Sequence, residues 1–128
     1  MEYSNFINKK IVEIGGRKFT ISCIPAIKAQ SEIYPVIAKF IKDYGIIGLT
    51  MLPMQTVRDI LAFTAYDNGS AGWDEIDTDK TIETVFQNKH DDMLELIIHM
   101  VKENFGFLTD GSRLEKLLGA AAATGSEA

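Results

Sequence analysis

The pair Gly15-Gly16 constrains the fold more than any other feature, because it separates two short segments in which apolar and polar residues alternate. These segments are residues 11–14 and 17–23. Two adjacent glycines supply the positive φ angles that a two-residue hairpin turn requires. The pattern therefore predicts a β-hairpin over about residues 11–23.

The hairpin pattern also predicts a strand register. It places Ile14 opposite Arg17 and Val12 opposite Phe19, so that an apolar pair lies directly across the ladder. A two-stranded hairpin alone is marginally stable in water. We therefore expect its apolar face to pack on the helices that follow.

After Pro25 the apolar residues recur at helical spacing. Pro35 lies inside the first helical stripe and lacks a backbone N–H, so this helix either begins just before Pro35 or begins near Ala26 and bends. The stripe comprises Ile33, Ile37, Phe40, Ile41 and Tyr44.

Two more helices are predicted in the middle of the chain. The second begins near Pro53, since proline is favoured in a first helical turn, and stops at the turn of residues 67–69. The third is shorter and is capped by Thr78 or Asp79. The apolar positions of the second helix are Val57, Ile60, Leu61 and Ala65.

The fourth predicted helix has the most complete set of signals. Asp92 and Glu95 have capping-box spacing, and Gly106 is a stop signal. Ser112 begins a final short helix by the same criterion. The stripe of the fourth helix is Leu94, Ile97, Ile98, Val101 and Phe105, which we assign mainly to the core.

These elements predict a mainly α fold, with an N-terminal β-hairpin packed on a bundle of about four to five helices. Residues 1–119 form a single globular domain in this prediction. Residues 120–128 lack large apolar side chains and are predicted to be a disordered tail.

The net charge of −5 argues against a nucleic-acid partner, because such binding relies on lysine and arginine. The charge is uneven: residues 1–64 carry 8 basic and 5 acidic side chains, and residues 65–128 carry 5 and 13. The acidic residues are interpreted as helix faces and caps, as a docking surface, or as the partner of the basic half of a second copy in a homo-oligomer. With no signal-peptide-like or membrane-spanning run, we expect a cytoplasmic protein with no membrane partner.

No motif for catalysis, a cofactor or a metal is found, so the prediction is a protein that is not an enzyme. The chain has one cysteine, Cys23, and two histidines, His90 and His99, without zinc-site spacing. Cys23 shares the register of the apolar strand face and is predicted to be a buried, inert thiol. A small enzyme whose site forms in an oligomer, around Cys23 or the 74–79 acidic cluster, is kept as an alternative.

The early hairpin, the immediate turn Ile24-Pro25-Ala26 into a helix, and the helical remainder resemble the tail assembly chaperones of long-tailed bacteriophages. This resemblance spans most of the chain. It implies a cytoplasmic protein that binds and shields the tape-measure protein, gives way to tail-tube subunits, and is absent from the finished virion. It also implies a longer form made by a frameshift near the end of the shorter product, with which the Ala-rich 120–128 segment is compatible.

A chaperone of this kind needs apolar surfaces for partner helices. Four residues are the predicted partner-binding set: Met54, Met93 and Met100, which lie beside the predicted stripes, and Trp73, which lies in a Gly-rich acidic loop. The alternative function is a phage structural or head-tail connector-type protein that is retained in the virion.

Overall fold

The computed structural model describes residues 9–70 and 72–109, in which helices predominate and four strands form one antiparallel sheet. A mainly helical chain with an N-terminal hairpin is therefore confirmed, but the sheet has four strands. The elements in chain order are β1 (Lys10–Ile14), β2 (Arg17–Ile21), α1 (Ala26–Lys28), a π-helical segment (Ala29–Ile33), α2 (Tyr34–Tyr44), a 3₁₀ segment (Gly45–Thr50), α3 (Met54–Leu61), β3 (Thr64–Asp67), β4 (Trp73–Glu75), α4 (Asp79–Phe86), α5 (His90–Asn104) and α6 (Gly106–Thr109).

The hairpin has the predicted register. Val12 lies opposite Phe19 and Ile14 lies opposite Arg17. The turn is made by Gly15, with φ of 59°, and the next glycine, with φ of 82°. Both angles lie in the left-handed region, which glycine adopts without a Cβ clash.

The turn glycines provide a matched pair of stability predictions. A Cβ on Gly15 would lie 2.5 Å from Oδ2 of Asp92, whereas a Cβ on Gly16 would meet no atom within 4 Å. Gly16→Ala is therefore expected to cost about 1 kcal/mol, for the left-handed backbone alone. Gly15→Ala is expected to cost about 2–3 kcal/mol, because Asp92 must also move. Urea unfolding measures both, and equal losses would contradict this account.

The second half of the sheet corrects the prediction of a helix through Ala65. Helix α3 ends at Leu61, and the Thr64 hydroxyl donates to the Leu61 carbonyl at 2.7 Å. Strand β3 then pairs with β2, with Ala65 opposite Thr20, and β4 pairs with β3. The tertiary pairing with β2 overrides the helical spacing of these residues. Trp73 consequently lies in an edge strand rather than in a loop.

The first helical region begins well before Pro35, near Ala26, which was the second of the two predicted alternatives. The helix begins at Ala26, and residues 29–33 form a π-helical segment before Pro35 enters the first turn of α2. A π-helical turn changes the hydrogen-bond spacing, so the missing N–H of proline interrupts no regular α-helical ladder. Ile33 and Ile37 from this region are fully buried.

Helix α5 packs on α3, α4, the 3₁₀ segment and the first two strands, so it is the centre of the core. Its buried face is rotated from the predicted one: Leu96 and Met100 are buried, whereas Leu94 and Ile98 are half-buried. The helix also begins at His90 rather than at Asp92. The fully buried side chains are Ile14, Phe19, Ile33, Ile37, Leu49, Ile60, Leu61, Ile76, Leu96, Ile97, Met100 and Val101.

The cap of α4 agrees with the prediction, since the Thr78 hydroxyl accepts from the Thr81 N–H at 3.2 Å. The predicted helix after Ser112, the 120–128 tail and the domain limits of residues 1 and 119 lie outside the described residues. No helix in the described ranges is both long and apolar enough to cross a membrane.

Candidate protein-binding surface

Exposed apolar side chains are concentrated in one short segment. Among the described residues, eight large hydrophobic side chains are exposed, and five of them lie between residues 44 and 54. Ile47 is the most open of the five, at 65% exposure. We name these five the 44–54 surface: Tyr44, Ile46, Ile47, Met51 and Met54.

Two glycines determine how this segment folds. Helix α2 ends at Tyr44 and is capped by Gly45, whose φ is 76°. Gly48 is buried against the backbone of Phe40, where a Cβ would collide with the Phe40 carbonyl. The adjacent Leu49 is buried in the core and anchors the 3₁₀ segment. The segment is therefore held close to α2 while Ile47 remains in solvent.

The 44–54 surface lies in a stretch without charge. Residues 44–57 contain no acidic, basic or histidine side chain, and Asp43 and Arg58 are the first charges on either side. Large exposed apolar areas are typical of protein interaction sites, so this segment is a candidate binding surface. Two of its five members are methionines, whose flexible side chains adapt to different partners.

A small cleft lies next to Met54, where α3, α4 and α5 meet. Its volume is about 240 Å³. The apolar part of the lining comes from Met54, Ile82, Phe86 and Met93, and the polar part comes from Glu83 and His90.

An ion pair also connects α3 and α4, the helices that carry Met54 and Glu83 of the cleft lining. The Arg58 guanidinium donates to the Asp79 carboxylate through two nitrogens, at 2.8 and 3.2 Å. These hydrogen bonds hold the pKa of Asp79 below its usual range and raise that of Arg58. This bidentate contact links α3 to α4 at the surface, where both side chains are exposed.

The structure separates the four predicted partner-binding residues. Met54 and Met93 line the same cleft, although Met93 is only 8% exposed. Trp73 is exposed in β4, outside the cleft. Met100 is fully buried in α5, so its assignment to a partner surface was wrong: it belongs to the core. The sequence prediction missed Tyr44, Ile46, Ile47 and Met51, for which the uncharged stretch was the available signal.

The cysteine prediction is also corrected. Cys23 is exposed, because β2 ends at Ile21 and the strand alternation does not continue to residue 23. In the described residues, no group of three or more His, Cys, Asp or Glu side chains could hold a metal ion. His99 lies 3.7 Å from Glu95 on the same helix.

A second depression, of about 610 Å³, lies between the start of α1 and the end of α5. Its aromatic wall has Tyr34 at ring distances of 5.8 Å from Phe105 and 5.9 Å from Phe107. Asn104 accepts from the Ile24 N–H at 2.7 Å and thereby ties the chain after β2 to α5. None of its lining residues is among the exposed large hydrophobic side chains, so the 44–54 surface is the stronger candidate for binding a protein.

Comparisons with protein-family models, with curated proteins and with solved structures found no match to this chain.

Proposed function

We propose that the chain is an assembly chaperone of the phage tail type, which binds the tape-measure protein and tail-tube subunits through apolar helical segments. The observation that carries this proposal is the 44–54 surface, because it is an uncharged, exposed set of large apolar side chains. A chaperone needs such a surface to shield apolar segments of its partner.

The position of the surface also supports this proposal. Leu49 and Gly48 fix the 3₁₀ segment to the core, so the exposed side chains belong to a folded element. A partner that binds there does not have to order a loop first, which would reduce its affinity.

The test is co-expression with the tape-measure and tail-tube proteins of the same phage. Ile47→Glu places a charge in the centre of the 44–54 surface and is expected to reduce the soluble tape-measure protein at least about five-fold. The matched control is Ile27→Glu, which changes an isoleucine that is 84% exposed in α1, outside this surface. The control is expected to leave the soluble fraction unchanged.

Equal yields of soluble tape-measure protein with and without the chain would contradict the proposal. Mass spectrometry of purified virions distinguishes the chaperone from the alternative function, a structural or connector-type protein. A chaperone is absent from the particles, whereas a structural or connector-type protein is present in a fixed ratio to the tail subunits.

A further inference from the structure

The cleft beside Met54 has the form of an anchor site for one side chain. Three helices form it, and its apolar lining is continuous with the exposed Met54 of the 44–54 surface. The Phe86 ring also stacks on the Phe19 ring, with 5.9 Å between the ring centroids, and this contact supports Phe86 in the core. Such a lining is chemically suited to a large apolar side chain.

Glu83 gives the cleft a charge preference. Its carboxylate is exposed at the cleft and makes no ion pair or side-chain hydrogen bond within the described residues. Three of the other four carboxylates in residues 77–92 are engaged: Asp79 binds Arg58, Asp92 binds Arg17, and Asp91 accepts from the Asp92 N–H. The fourth, Asp77, is not part of the cleft lining. Residues 77–92 contain five acidic and two basic side chains, and Arg58 and Arg17 pair with two of the five. Glu83 is therefore the one acidic side chain in the cleft lining, and its charge is not neutralised by an ion pair among the described residues.

We infer that this cleft binds an amphipathic helix with a basic flank. One large apolar side chain of that helix enters the cleft, and a lysine or arginine one turn away pairs with Glu83. Side chains three or four positions apart lie on the same face of a helix, which allows one helix to make both contacts. This inference rests on the proposed chaperone function and specifies which segments of the partner are selected.

The experiment uses the full chain and labelled synthetic peptides, with binding followed by fluorescence anisotropy. The first peptide has leucines at i, i+3, i+4 and i+7 with flanking lysines, the second has glutamates in place of all lysines, and the third scrambles the first. The first is expected to bind at least about ten-fold more tightly than the other two. The scrambled peptide controls for simple attraction to a chain with a net charge of −5.

Two charge-reversal variants test whether the preference for the lysine peptide arises at Glu83. Glu83→Lys is expected to weaken the lysine peptide about ten-fold, because it replaces an attraction with a repulsion. Glu75→Lys changes the net charge equally but lies in β4, outside the cleft, and is expected to change the affinity less than about two-fold. Equal weakening by the two reversals, or equal binding of the three peptides, would overturn the inference.

The outcome for the tape-measure protein separates this inference from the proposed function. If Ile47→Glu abolishes its solubility while Glu83→Lys affects neither solubility nor peptide binding, the chaperone proposal stands and the anchor site is wrong. If Glu83→Lys selectively weakens binding of the lysine peptide while the tape-measure protein is equally soluble with and without the chain, the anchor site stands and the chaperone proposal is wrong.

Discussion

Replacing Met100 with alanine is expected to lower the free energy of unfolding by about 2–5 kcal/mol. Met100 is fully buried in the middle of α5, the helix on which α3, α4 and the first two strands pack. Truncation would remove three heavy atoms from a close-packed interior and leave a cavity that a central helix cannot collapse to fill. Urea unfolding followed by circular dichroism measures this loss.

Met54→Ala is the matched control for that result. Met54 is exposed, so the same truncation is expected to change stability by less than about 0.5 kcal/mol. Its effect should instead be on the affinity for the lysine peptide. If Met100→Ala were as stable as the unmodified chain, the assignment of Met100 to the core would be wrong.

Replacing Arg17 with alanine is expected to cost about 3 kcal/mol. The guanidinium of Arg17 donates to the Val85 carbonyl at 2.7 Å and to the Asp92 carboxylate at 3.2 Å. It also lies 5.3 Å from the centre of the Phe19 ring, a cation–π distance. Hydrogen bonds to charged groups are worth about 1.5–3 kcal/mol each. The expected cost is set at the low end of the sum for the two bonds, because the Arg17 side chain is 31% exposed and solvent screens its charge.

Arg17→Lys separates the charge of this contact from its geometry. Lysine keeps the attraction to Asp92 but has no planar fork that reaches two acceptors at once. We therefore expect Arg17→Lys to lose about half as much free energy of unfolding as Arg17→Ala. Urea unfolding midpoints at low and high salt measure both losses. A full loss with lysine would show that the charge contributes little, and no loss with alanine would show that the hairpin is held by apolar contacts alone.

The hairpin was the part of the fold that could be predicted in detail, because all its determinants are local. Gly15 and Gly16 specify the turn, and the alternation of Val12 and Phe19 with polar residues specifies the face. The cap at Thr78 has the same local character. The pairing of β3 with β2 is different, since the two strands are joined only after residues 22–63 have folded back.

The candidate surface was only partly predictable for a related reason. Seven of the nine residues from Met93 to Val101 are apolar, so their spacing does not determine which face of α5 is buried. The contacts of α5 with the sheet and the 3₁₀ segment determine it, and they bury Met100. Likewise, Ile47 and Leu49 are both large apolar residues, and tertiary packing alone makes one exposed and the other buried.

The position of β3 in the sheet has a consequence for the order of folding. The β1–β2 hairpin closes through a two-residue turn, and such hairpins form in about 1–10 μs. Closing the long loop of residues 22–63 loses more chain entropy, which only the packed helices can offset. In a refolding experiment, substitutions at Ala65 are therefore expected to change mainly the unfolding rate. Substitutions at Val12 should also slow refolding, because the early hairpin is the template on which the rest of the sheet assembles.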